Sequence, residues 1–152
     1  MQFSKIVAFV AITWIAAYSN AGAMSSAGAG PMIPEFKAGM AASDAKDFET
    51  AEAHLKAAVE KLPTHTSSWS LLGFVSRKLG KVDEAFKYYE KALSLDKEFR
   101  PALNYLGHLY LETGQAAKAK EMLDRLDSAC FFGCSEYDDL KAAVAAGKSG
   151  KY

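Results

Sequence analysis

Residues 66–99 read TSSWSLLGFVSRKLGKVDEAFKYYEKALSLDKEF, and this stretch decides the fold. Its first half places Trp69, Leu72 and Gly73 at helical spacing and ends at Gly80, a residue that favours turns. In the second half, apolar side chains recur at near-helical spacing between charged ones, which is typical of an amphipathic helix. The stretch therefore predicts two short helices folded against each other as a hairpin.

The same pattern occurs on both sides of this hairpin, at a period of about 34 residues. Each of the three blocks has a glycine in its first helix and an alanine at a fixed distance in its second. The blocks are residues 32–65, 66–99 and 100–133; the glycines are Gly39, Gly73 and Gly107, and the alanines that we expect to face them are Ala51, Ala85 and Ala119. Glycine inside a helix costs about 0.5 to 1 kcal/mol, so three in phase indicate a close helix–helix contact.

The middle block resembles the tetratricopeptide repeat through Trp69-x-x-Leu72-Gly73 and, in the second helix, Ala85 and Tyr89. The third block carries Leu-Gly and the turn glycine at the same offsets. The first block is the weakest match, because Glu35 and Lys46 stand where the tryptophan and the turn glycine are expected, and terminal repeats are often atypical.

This resemblance implies an all-α fold, an α-solenoid of three helix hairpins followed by a capping helix, in a domain covering residues 34–146. The predicted helices are 34–45, 48–61, 67–79, 82–95, 100–113 and 116–127, with the cap at 135–146. The cap is amphipathic and is expected to cover the apolar face that the last repeat leaves open. Residues 147–152 are expected to form a disordered tail.

Residues 1–23 have the pattern of a signal peptide. Lys5 precedes an uncharged apolar run, and Ala21-Gly22-Ala23 provides the small side chains that signal peptidase accepts. The run is shorter than the roughly 20 apolar residues of a spanning helix, which argues against a retained membrane anchor. The sequence therefore predicts cleavage after Ala23, a flexible segment at 24–33, and a periplasmic or, alternatively, a secreted protein.

Cys130 and Cys134 are the chain's two cysteines. In an exported protein such a pair predicts a disulfide, here between the last repeat and the cap, and Gly133 allows the backbone to bend between them. The alternative is a small redox or copper-handling protein that uses the two thiols, since soft thiolates bind Cu(I) and a C-x3-C spacing occurs in some copper carriers.

Other chemistry is not indicated by the sequence. The formal net charge is zero, with both signs interleaved, so no basic surface for nucleic acid or an anionic membrane is expected. His54, His65 and His108 are scattered without metal-binding spacing, and His65, in the turn between two blocks, is expected to be solvent-exposed. We therefore predict a protein that is not an enzyme and that needs no metal or cofactor.

The resemblance also implies a binding site, the concave face lined by the first helices. The positions that it places in this groove are Phe36, Met40, Ser70, Phe74, Arg77, Asn104, Tyr105, His108 and Leu111. Family members that clamp a carboxylate terminus use a Lys and Asn pair where Phe36 and Met40 stand here, so that clamp is not expected. Alternatively, Phe74 and Leu111 pack between repeats, and His108 is either structural or a pH-sensitive contact.

These expectations combine into one function, a scaffold or adaptor that binds a protein or peptide of the cell envelope in its groove. After signal cleavage no stable membrane insertion is expected. Self-association is a further possibility, with the concave face filled by a neighbouring copy. The sequence does not identify the partner.

Overall fold

The computed structural model describes residues 31–149, which contain seven helices and no strand. They are α1 (Pro34–Asp44), α2 (Phe48–Lys61), α3 (Thr66–Lys78), α4 (Val82–Leu95), α5 (Arg100–Glu112), α6 (Ala116–Ala129) and α7 (Ser135–Ala146). The all-α prediction is confirmed, and each predicted helix boundary lies within two residues of the observed one. The predicted signal peptide lies outside the described residues, as does most of segment 24–33.

Local sequence explains where the helices begin and turn. Proline stands in the first turn of α1 and of α5, where its missing N–H is not needed. Asp47 caps α2 by accepting a hydrogen bond from the Thr50 amide at 3.2 Å. The turn after α3 uses Gly80 with φ of 75°, and at the same point after α1 Lys46 has φ of 61°. A lysine thus adopts the left-handed conformation that glycine favours.

The helices pair as three antiparallel hairpins, α1 with α2, α3 with α4 and α5 with α6, stacked in sequence. One apolar cluster surrounds Leu55 and Leu72 in the first two hairpins, and another surrounds Leu103 and Leu126 in the last two and α7. Trp69 contacts both clusters, and its indole N–H donates to the Pro63 carbonyl at 2.8 Å. The middle repeat therefore joins the two halves of the core.

The in-phase glycines lie at close contacts, and at Gly39 and Gly73 the second helix of the hairpin makes them, as the repeat pattern predicts. A Cβ at Gly39 would lie 2.6 Å from Leu55 Cγ, and one at Gly73 would lie 2.7 Å from the Tyr89 ring. At Gly107 the nearest atoms belong to Leu140 of α7, so the expectation that the second helix of the third block requires this glycine is wrong. The capping helix makes that close approach instead.

No helix within residues 31–149 is both long enough and apolar enough to cross a membrane.

Candidate functional site

The nine residues that we predicted to line the groove lie on α1, α3 and α5, and they divide into two groups by exposure. The half-buried group is largely apolar and consists of Met40, Phe74, Tyr105 and Leu111. The buried group includes the polar side chains and consists of Phe36, Ser70, Arg77, Asn104 and His108. The apolar members of the first group are therefore the ones available to a ligand.

Phe74 is the centre of the half-buried group. Its ring centroid lies 5.3 Å from that of Tyr105 on α5 and 6.4 Å from that of Phe48 on α2. The Lys78 ammonium sits 5.4 Å from the same ring, within the range of a cation–π contact. Met40 and Leu111 pack against the two apolar clusters that Phe74 joins. Half-buried apolar groups therefore run across all three first helices.

Phe36 and His65 contribute to the stacking of the first two repeats. The two rings meet edge to face with centroids 4.9 Å apart. His65 is 1% exposed, and its Nδ1 lies 2.6 Å from the Ser68 hydroxyl, so the expectation that it is solvated is wrong. Burial lowers its pKa, because desolvation disfavours the charged ring.

Arg77 pairs with Glu112 of the next repeat instead of pointing into solvent. Its Nε donates to Glu112 Oε2 at 2.7 Å and its Nη2 to Oε1 at 2.5 Å, with the arginine side chain 5% exposed and the glutamate 40%. Nη2 also donates to the Ser149 hydroxyl at 3.0 Å. The hydrogen bonds from Arg77 lower the pKa of Glu112. Arg77 thus links α3, α5 and the segment after α7.

Asn104 and His108 on α5 contact α7. The Asn104 amide donates to the Glu136 carbonyl and to Asp139 Oδ2, both at 2.8 Å. His108 is fully buried, with Nε2 2.7 Å from Asp139 Oδ2. Burial lowers the pKa of His108 more than the neighbouring Asp139 carboxylate raises it. Its Nδ1 lies 3.3 Å from the Ser149 hydroxyl.

The capping helix therefore covers the polar part of the predicted groove in the third repeat. Beside it, a cleft of about 320 Å³ remains, lined by Tyr105 and by residues of α5 and α7. Sequence reasoning missed Glu112, Asp139 and Ser149, the partners of the buried polar residues. Each lies more than thirty residues from its partner, so local spacing gives no signal for these pairs.

Cys130 and Cys134 form a disulfide in the loop between α6 and α7, with Cα atoms 5.6 Å apart. Gly133 adopts φ of 83° there. Between the cysteines, Phe131 is 88% exposed and Phe132 is 95% exposed. This aromatic pair was also missed; the adjacent phenylalanines inside a short cysteine loop were the available signal. Residues 31–149 contain no group of three or more His, Cys, Asp or Glu side chains that could hold a metal ion.

Comparison with known proteins agrees with this geometry. A family model of the tetratricopeptide repeat matches residues 76–144. The tetratricopeptide repeat-containing protein trd-1 of Caenorhabditis elegans is 32% identical over 78 residues, which cover 51% of this chain and 10% of that protein. This chain thus spans about a tenth of that relative's length.

Among solved structures, a chain of the "CopN-Scc3 complex" superposes with a TM-score of 0.61 at 19% identity. The match covers 74% of this chain and 65% of that one, and at this identity it shows the fold alone. The family match over residues 76–144 and the relative both support the tetratricopeptide repeat that the sequence predicted. The exported bacterial type with its C-x3-C pair stays a prediction.

Proposed function

We propose that this protein is a periplasmic adaptor that binds an extended segment of another envelope protein across the face formed by α1, α3 and α5. The observation that carries the proposal is the run of half-buried apolar side chains on that face: Met40, Phe74, Tyr105 and Leu111. Such side chains can bury further area against a peptide, and tetratricopeptide arrays offer this concave face to partners. The chemistry of the face is one of binding, without a catalytic role.

The polar residues of the face then act indirectly. Arg77, Asn104 and His108 are held by Glu112 and Asp139, so they fix how α3, α5 and α7 pack. Specificity in this proposal comes from the apolar contacts and from the exposed edges of the Glu112 and Asp139 carboxylates. A partner that needs the arginine or the histidine directly has to displace α7 or Ser149 first.

The proposed compartment rests on two features. Residues 1–23 have the composition of a signal peptide, and a disulfide such as that between Cys130 and Cys134 persists mainly in oxidising compartments. Mass spectrometry of the protein from the cell envelope should find a chain that begins at Met24, with the cysteines inaccessible to alkylation until reductant is added. An uncleaved chain with free thiols would contradict the proposal.

Site-specific photocrosslinking tests the groove. A photoreactive residue at Met40 or Leu111 should give the same adduct with one envelope protein, whereas one at Lys87 or Lys91, on the exposed side of α4, should not. Phe74→Ala should weaken the adduct without loss of helicity, measured by circular dichroism. Equal adducts at groove and control positions would reject the groove as the binding site.

The competing proposal, a redox or copper centre at Cys130 and Cys134, requires the reduced pair, because both sulfurs are bonded to each other in the disulfide. Titration of the reduced protein with Cu(I) separates the two proposals. The adaptor proposal expects no stoichiometric binding and full crosslinking in a Cys130→Ser/Cys134→Ser variant. The copper proposal expects one tightly bound ion and loss of function in that variant.

A further inference from the structure

The disulfide loop presents an aromatic surface that the core does not use. Phe131 and Phe132 contact each other edge to face, with ring centroids 5.0 Å apart, and both are almost fully exposed. Two adjacent exposed phenylalanines cost solubility unless a partner covers them. The disulfide restricts the loop, so little conformational entropy remains to be lost when it binds.

The charges next to the loop in the sequence indicate what kind of surface it fits. Asp127, Glu136 and Asp138 lie within four residues of the loop in sequence, and no lysine or arginine does. Negative charge beside an apolar tip disfavours an anionic lipid surface. The same charge favours a protein pocket with apolar walls and a basic rim.

The chain itself carries such a pocket. A cleft of about 410 Å³ lies where α1, α2 and α3 meet, walled by Phe48 and Phe74. Lys46 and Lys78 line its rim together with Ser43 and the single carboxylate of Asp44. Burial lowers the pKa of Lys78, the nearby cations Arg77 and Lys46 lower it further, and Glu112 offsets part of this lowering. An incoming carboxylate would offset that repulsion.

The topology keeps the loop and the cleft of one chain apart. Because the hairpins are antiparallel, the turns after α1, α3 and α5 lie on one edge of the solenoid and the connections after α2, α4 and α6 on the other. The cleft is at the first edge in the first two repeats, and the aromatic loop is at the opposite edge after the third. A contact between them therefore joins two molecules.

We propose that Phe131 and Phe132 dock in the Phe48–Phe74 cleft of a second copy of this chain, with Lys46 and Lys78 facing the acidic residues beside the loop. The two surfaces are different, so the contact is heterologous, and a docked pair of molecules keeps one free loop and one free cleft. The assembly grows head to tail. This contact between copies shares Phe74 with the proposed groove, but it needs no envelope partner. The adaptor proposal and the self-association proposal can therefore fail independently of each other.

Sedimentation velocity on the processed, disulfide-intact protein tests this contact over a concentration series. The weight-average mass should rise with concentration, and Phe131→Ser/Phe132→Ser should weaken the association at least about tenfold. The Lys46→Asp/Lys78→Gln variant should also weaken the association, although it leaves the aromatic walls of the cleft in place. Val82→Ser, which removes another exposed apolar side chain, is the matched control and should leave the association unchanged.

Mixing the two defective variants gives the sharper result. The loop variant keeps an intact cleft and the cleft variant keeps an intact loop, so a one-to-one mixture should form a heterodimer that does not grow further. A protein that is monomeric throughout the series would overturn the proposal, as would an association that the phenylalanine substitutions leave intact or a mixture that stays monomeric.

Discussion

Arg77 and Glu112 form a two-pronged ion pair that connects the first helices of the second and third repeats. The arginine is buried and the glutamate is at the surface, and its carboxylate accepts hydrogen bonds from two nitrogens of the guanidinium. Adjacent repeats of a solenoid are held together by nearest-neighbour interfaces, and a small rotation from one repeat to the next sets the curvature. The pair gives this junction a directional contact.

Removal of Glu112 should cost more than the loss of an exposed ion pair. In Glu112→Ala the buried guanidinium keeps its charge without its main partner, and we expect a loss of about 1 to 3 kcal/mol in the free energy of unfolding. Urea denaturation measures it. The control is Glu35→Ala, which removes the more exposed pair with Lys61 and should cost less than Glu112→Ala.

The Arg77–Glu112 pair should contribute less to the stability of the fold in acid. The pKa of Glu112 is lowered from its ordinary 4.5, so the pair stabilises the fold fully above that pH and the contribution is lost as pH falls through the folded-state value. Wild type should therefore approach Glu112→Ala in stability below pH 4.5. A difference between the two proteins that does not shrink on acidification would contradict this account.

His108 should make the protein less stable as the pH falls from 7 toward 5. Its pKa is lowered from 6.5 by burial, so between the unfolded and folded values the unfolded chain binds more protons and acid favours unfolding. Asp139 on α7 and Glu112 on α5 oppose this shift, while Arg77 on α3 adds to it.

The test compares urea unfolding at pH 7.5 and 5.5 for wild type and His108→Gln. Glutamine cannot take up the proton, so the variant should lose less stability between the two pH values, by at most about 1.4 kcal/mol per pH unit. His65 also has a lowered pKa and contributes in the same range, so the difference between the two proteins is the relevant quantity. If His108→Gln lost more stability than wild type on acidification, the predicted direction of the His108 contribution would be wrong.

Gly107 should be intolerant of a methyl group because of α7. In Gly107→Ala the new Cβ would overlap Leu140, and overpacking of this kind costs about 1 to 3 kcal/mol. Leu140→Ala alone leaves a cavity. In the double variant the smaller residue makes room for the methyl group, so the combined loss in unfolding free energy should be smaller than the sum of the two single losses.

If the two single losses in unfolding free energy simply add, the strain of Gly107→Ala lies elsewhere, against α6. Hydrogen exchange gives an independent readout, since amides of α7 should lose protection in Gly107→Ala before those of α3 do. Gly73→Ala is the comparison, because its Cβ would meet Tyr89 of α4 and should leave α7 protected.

The fold was predictable because its determinants are local and repeated. Leu72, Gly73 and Tyr89 recur in phase with their counterparts in the other blocks, and helical periodicity sets the boundaries between them. The polar pairs were not predictable in the same way. Whether Arg77 reaches solvent or Glu112 depends on the rotation between adjacent repeats, and no residue within a helical turn of Arg77 reports that rotation.

The candidate site, like the fold, was predictable only in part from the sequence. The pattern identified the helices that carry the groove and the apolar members such as Phe74, but it did not indicate that Asn104 and His108 would be engaged by α7. These two residues share α5 with Gly107, where α7 packs closely through Leu140. The amphipathic pattern predicts only that α7 covers an apolar face.

Lys46 offers a stabilising substitution in the weakest repeat. Its φ of 61° is the left-handed conformation that brings the Cβ of an L-residue close to its own backbone, and the equivalent turns use Gly80 and Gly114. Lys46→Gly should relieve that strain and raise the free energy of unfolding by about 0.5 to 1 kcal/mol, despite the greater freedom of glycine in the unfolded chain. The converse substitution, Gly80→Lys, should lower it by a similar amount, and urea denaturation of both variants checks the pair. If Lys46→Gly were destabilising, the lysine side chain would have to contribute more to the first repeat than its backbone conformation costs.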